Sequence, residues 1–139
     1  MKEAFILSTT LFSTSGQCVV YGNNLWIIAG TGTNTLMTSA DDGLTWTSRS
    51  HTLDSINGLV YTNGYYFAGG SNTSGYSQIM YSTDGTTWST SSMPASGNWE
   101  NTAYGNGTFV SINRANAQAA TSTDGVTWTS RTLPSASQW

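Results

Sequence analysis

Charge is what this chain has least of. Only 8% of its 139 residues are ionic, against about a quarter in soluble proteins at large. The four basic residues, Lys2, Arg49, Arg114 and Arg131, are scattered, so no stripe exists to neutralise a phosphate backbone and nucleic acid is not an expected partner. A lone cysteine, Cys18 in "CVVY", excludes an intrachain disulfide and reads as a small buried hydrophobe. A lone histidine, His51, has no second His and no Cys at a ligand spacing. No metal or other cofactor is therefore expected, and His51 reads as a solvated loop residue. No apolar run approaches transmembrane length, and "AFIL", directly after Glu3, is too short for the core of a secretory signal. The expectation is a soluble chain with no visible signal peptide and no membrane insertion, compatible with a virion or extracellular setting.

Hydroxyls, amides and glycine fill the gap: 23 Thr, 20 Ser, 11 Asn and 15 Gly. Disorder is not the reason, because aromatics reach 12% and disordered chains are poor in them. The length is that of one ordinary domain, long enough to bury a core. No apolar 3.6-residue period persists, while β-branched residues and glycine recur throughout. The composition is that of an all-β domain wetted by hydroxyls and amides instead of ions.

A period of about 41 residues organises the chain. "SADDGLTW", "YSTDGTTW" and "TSTDGVTW" end at Trp46, Trp88 and Trp128, while "VVYGNNLWIIAG", "LVYTNGYYFAGG" and "TAYGNGTFVSI" keep Tyr21, Tyr61 and Tyr104 in register. Both motifs read as hairpins, since Asn-Gly and Asp-Gly between apolar runs tolerate the positive φ angles of a tight two-residue turn. Two hairpins make four short strands per unit. In the second unit these are roughly 58–62, 65–69, 78–82 and 86–90. The units run about 17–57, 58–98 and 99–139, and Trp139 joined to Gln17 reproduces the seam before Tyr104, so the repeat closes on itself. Residues 1–16 stand outside that cycle; "ILSTTLFSTS" resembles a worn copy of "MYSTDGTTWSTS" and is expected to form an extra edge strand.

Ser39, Asp41, Gly43, Thr45 and Trp46 match the S-x-D-x-G-x-T-W pattern of the Asp-box, or BNR repeat, of sialidase-like β-propellers. The other two copies are shortened, with Asp84 and Asp124 directly before Gly85 and Gly125. The companion "YGNGTFV" hairpin accompanies such shortened boxes in propeller-like proteins of bacteria and phages, so the resemblance covers 17–139. It implies blades of four antiparallel strands, three per chain. Propellers use about four to eight blades, so three blades imply a homodimer that completes a six-bladed ring. The alternative is a β-trefoil monomer, which also has three four-stranded units.

Asp42, Asp84 and Asp124 recur once per unit, too far apart for one substrate, and read as turn acids beside left-handed glycines. The resemblance places the box at the blade periphery, with Trp46, Trp88 and Trp128 packing between blades. The longer connections share the opposite face, where ligand-contacting residues are expected. Trp99 and Trp139 end equivalent connections there. Each reads either as a plug where one blade enters the next or as a stacking platform for a sugar ring, with Glu100, Asn101, Arg114, Asn116 and Tyr76 as polar companions. Glycosidic chemistry needs two placed carboxylates; with the turn acids set aside only Glu3, Asp54 and Glu100 remain. The arginine triad and Tyr nucleophile of the sialidases cannot be carried over. The expected function is a non-enzymatic module recognising carbohydrate or a cell surface, as in a phage or bacterial adhesin. The alternatives are a self-assembling fragment that mediates protein contacts and, with less support, a sialidase-like hydrolase.

Overall fold

The computed structural model describes residues 16–32, 35–71, 78–114, 116 and 118–134. The edge strand expected within 1–16, apart from Gly16, lies outside them, as do the candidates Tyr76 and Trp139. Every element among the described residues is an antiparallel strand. No helix there is long and apolar enough to cross a membrane.

The strands follow the repeat. The first unit holds β1 (Gly16–Gly22), β2 (Leu25–Gly30), β3 (Leu36–Ser39) and β4 (Thr47–Arg49). The second holds β5 (Ser55–Thr62), β6 (Tyr65–Ser71), β7 (Gln78–Ser82) and β8 (Ser89–Ser92), and the third β9 (Trp99–Gly105), β10 (Thr108–Asn113), β11 (Gln118–Ser122) and β12 (Thr129–Thr132). Within each unit consecutive strands pair in chain order, giving three four-stranded meanders. A Thr31–Ser55 bridge joins the first meander to the second, and a Gly70–Trp99 pairing merges the second and third into one sheet.

Local turn chemistry explains the first hairpin of each unit. Asn63 and Gly64 have φ of 49° and 80°, Asn106 and Gly107 48° and 77°, and Asn23 and Asn24 44° and 57°. Two successive left-handed residues make the type I′ turn whose twist matches the flanking strands, and Asn and Gly adopt it at least cost.

The second connection departs from expectation. Asp84-Gly85 and Asp124-Gly125 are not two-residue turns: six residues separate Ser82 from Ser89, and only the glycines are left-handed. The fourth strand of the second unit accordingly begins at Ser89, three residues after the expected start. In the first unit the left-handed pair is Asp42-Gly43, closed by Leu44 N donating to the Asp41 carbonyl at 3.2 Å. The longer "ADDG" wording therefore inserts a tight turn that its shortened relatives lack.

Because side chains alternate across a strand, each meander presents two apolar faces. One cluster packs Ile27, Ala29 and Leu36 of the first unit against Ile56, Tyr66, Ala68 and Met80 of the second. The other packs Phe67 and Ile79 of the second against Trp99, Phe109, Ala120 and Trp128 of the third. The middle meander is thus covered on both faces, which removes Tyr66 and Phe67 from water at about 25 cal/mol per Å2 of apolar surface.

Candidate functional site

The acids that first attract attention are built into loops. Ser82 is buried at the end of β7; its Oγ accepts from the amides of Gly85 at 2.8 Å and Asp84 at 3.3 Å and donates to Asp84 Oδ1 at 2.9 Å. The same Oδ1 accepts from the amides of Thr86 and Thr87 at 2.8 and 2.7 Å. Ser122 and Asp124 repeat the arrangement, with the amides of Val126 and Thr127 at 2.8 and 2.7 Å. In the first unit Asp41, not Asp42, fills this role: Oδ1 accepts from Ser39 Oγ at 2.7 Å and Thr45 N at 2.9 Å, and Oδ2 from Thr45 Oγ1 at 2.5 Å. The grouping of Asp42 with Asp84 and Asp124 is therefore corrected.

Hydrogen bonds to the ionised form favour ionisation. Thr45, by side chain and then amide, with Ser39, holds Asp41 down at about 2. The amides of Thr87 and Thr86 hold Asp84 well below the usual carboxylate range, and those of Thr127 and Val126 do the same for Asp124. A carboxylate so engaged is a poor general acid at neutral pH; what it does is cross-link a loop. Trp46 and Trp88 reinforce the loops by donating Nε1 to the carbonyls of Gly43 and Gly85 at 3.0 and 3.2 Å. Trp88 packs onto the first core cluster and Trp128 belongs to the second, 6.2 Å from Phe67 across the unit boundary.

The candidates on the opposite edge separate into two groups. Trp99 is 0% exposed, packed in the second cluster with Nε1 donating to the Ala95 carbonyl at 3.0 Å. It has no face left for a sugar, and of its two readings the structure supports the plug. Glu100, the next residue on β9, accepts from Asn57 Nδ2 at 3.1 Å and lies 3.4 Å from Arg114 NH1, with side-chain exposures of 12% and 66% for Glu100 and Arg114. Arg114 is fixed at its backbone by its amide donating to the Asn98 carbonyl at 2.9 Å, while its side chain is largely exposed. Asn116 Nδ2 meets the Ser96 carbonyl at 3.4 Å, the same acceptor that buried Asn113 reaches at 3.1 Å. Asn101 is exposed, its Oδ1 3.2 Å from where a Cβ on Gly58 would stand. The structure thus joins Glu100 to Arg114 and adds Asn57 from the neighbouring unit. Asn57 carries no motif in the sequence; only the packing of β5 beside β9 reveals it.

His51 is half-buried, contrary to the solvated loop residue expected. With Trp88, Met80 and Thr90 it lines a cleft of about 170 Å3 between the first two units. Burial lowers its pKa against weaker opposite pulls from the Leu53 main chain and the Asp54 charge, and neither ring nitrogen makes a hydrogen bond of good geometry. Cys18 is half-buried, and burial pushes its thiol up to about 11 despite the Ala29 main chain, the opposite of an activated nucleophile. Among the described residues no group of three or more His, Cys, Asp or Glu could hold a metal ion. No protein-family model matches the chain, and no curated protein matches it.

Proposed function

We propose that the three meanders are blades of an Asp-box-type propeller, that two chains complete a six-bladed ring, and that the ring is a non-enzymatic binding module. Its ligand would be a hydroxyl-rich glycan or other cell-surface group met on the long-connection edge. Two observations support the architecture: four strands paired in chain order is the topology of a blade, and each Ser-Asp-Gly loop is held by the same hydrogen bonds. A β-trefoil would instead have to divide the strands of each unit between a barrel and a cap.

The observation that carries the binding assignment is the Asn57–Glu100–Arg114 cluster. Two adjacent units contribute to it, it is held by a rigid sheet, and it ends in an exposed guanidinium, with Asn101 beside Glu100 in sequence and Asn116 two residues after Arg114. Amides, a carboxylate and a guanidinium are the donors and acceptors that select vicinal hydroxyls. A glycan array probed with the wild-type chain, Arg114→Ala and Glu100→Gln tests it. Binding that both variants weaken supports the assignment; no binding by the wild type, or binding unmoved by either change, overturns it. A fluorogenic glycoside assay gives no turnover on this reading. The exposed apolar faces at both ends of the chain favour a second reading, that ring assembly is itself the role.

A further inference from the structure

From the size and exposure of equivalent residues in the three units, we infer that the outer face of the third unit is the docking surface for the outer face of the first unit of a second copy. This rests on the ring reading above and names the surfaces that close it. Among the described residues the large apolar side chains left exposed are Val19, Tyr21 and Leu44 in the first unit and Tyr104, Val110 and Val126 in the third, with none in the middle unit.

The two internal junctions show how such faces meet. Ile27 and Phe67 occupy equivalent positions on the faces that look toward the following unit, and both are buried there; Val110, their counterpart in the third unit, is 41% exposed. Tyr66 and Phe109 occupy equivalent positions on the faces that look back, and both are buried; their counterpart Trp26 is only half-buried. Each belongs to a repeated aromatic pair, Tyr21–Trp26 at 4.7 Å and Tyr61–Tyr66 and Tyr104–Phe109 at 4.6 Å.

Glycines mark the seats. At the first junction the Tyr61 ring lies where a Cβ on Gly22 would stand, and the Tyr66 hydroxyl donates to the Gly22 carbonyl. The counterpart of Gly22 in the third unit, Gly105, has none of the described residues within 4 Å of that position. Gly85 and Gly125 sit against Ile27 and Phe67 of the preceding unit, whereas among the described residues their counterpart Gly43 meets only its own Trp46. The third unit has an empty seat and the first an unseated tyrosine and glycine.

Side-chain size supplies the partner's identity. At the first junction medium residues face medium ones, Ile27 and Leu36 against Tyr66, Ala68 and Met80. At the second, a large face with Phe67, Tyr65, Tyr81 and Ile79 meets a small one whose equivalent positions are Phe109, Ser111 and Ala120. The third unit's outer face is the smallest of its kind, with Val110 exposed, Thr108 and Thr121 half-buried and Ala119 buried, beside an open groove of about 440 Å3. The first unit's outer face is the largest, with Val19 exposed, Trp26 and Ile28 half-buried and Met37 buried. Close packing requires the volumes across a junction to sum to a constant, so smallest meets largest. Three units cannot close on themselves; the same rule applied twice pairs two copies head to tail, a closed two-fold arrangement.

The test uses the full chain in a Cys18→Ser background. Light scattering should give twice the 14.8 kDa chain mass, and Tyr21→Cys with Gly105→Cys should form a disulfide between copies, since the Tyr61 Cβ lies 2.8 Å from where a Cβ on Gly22 would stand. Val110→Glu, which would bury an unpaired charge, should weaken the dimer by roughly a hundredfold or more while the circular dichroism of each chain is kept. A monomer at micromolar concentration overturns both the ring and this interface. A dimer that neither cross-links nor responds to Val110→Glu overturns this interface alone, and a disulfide formed within one chain overturns it in favour of closure in cis.

Discussion

Replacing Trp99 separates its two readings by stability instead of binding. The side chain is completely buried among Phe67, Ile79, Met93 and Phe109, and it is the residue through which β9 pairs with Gly70 of the second unit. Trp99→Ala would remove an indole from a close-packed site whose backbone is pinned by that pairing, so the cavity cannot collapse; such truncations cost about 3–5 kcal/mol. For a domain of this size each kcal/mol lowers Tm by roughly 3–4 °C, so the expected fall is about 10–18 °C by differential scanning calorimetry. Trp99→Phe keeps most of the volume and loses the bond from Nε1 to the Ala95 carbonyl at 3.0 Å, which costs about 1–2 kcal/mol, or roughly 3–8 °C. A surface stacking platform behaves in the opposite way, with Tm unchanged and ligand binding lost. A Tm shift below about 3 °C for Trp99→Ala would refute the plug and the packing argument with it.

Three further outcomes follow from the same geometry. The folded-state pKa values of Asp41, Asp84 and Asp124 lie below the unfolded value near 4, at about 2 for Asp41 and well below the usual carboxylate range for the other two, so their contribution is complete above about pH 5 and is lost progressively as pH falls from there toward the folded values. Tm measured from pH 6 to pH 2 should drop at the acid end, and Asp84→Asn with Asp124→Asn should flatten that drop. Gly107→Ala, at φ 77° with open space around it, should cost about 1 kcal/mol. Gly125→Ala, at φ 75° with Phe67 Cζ 3.0 Å from the new methyl, should cost about 2–3 kcal/mol, and equal costs in urea denaturation would contradict that contact. Cys18, with its thiol pushed up to about 11, should be roughly a thousandth ionised at pH 8 and react with Ellman's reagent far more slowly native than unfolded.

Much of the fold was legible because it is written in neighbouring residues. The Asn-Gly pairs at 63–64 and 106–107 specify their turns through their own φ preferences, and the 41-residue beat lays out three four-stranded units before any contact is considered. The Asp-Gly loops misled at the same scale. Asp84 and Asp124 looked like members of a two-residue turn, but an upstream serine and two downstream amides compete for their carboxylates and open a six-residue loop. The candidate site was less legible. Glu100 and Arg114 were named from their place on the long connections, but Asn57 came from another unit, and the burial of Trp99 depends on Phe67 and Ile79, 32 and 20 residues away along the chain.

By itself, then, the amino-acid order determined the all-β content, the Asn-Gly turns and the period, since each depends on φ preferences and side-chain alternation within a few residues. Only the tertiary structure decided which faces are covered. Tyr66, Phe109 and Trp26 occupy the same place in the repeat, yet the first two are sealed and the third is not, because burial depends on what stands on the other side of the junction. For the middle unit both neighbours are present among the described residues, the first unit on one side and the third on the other.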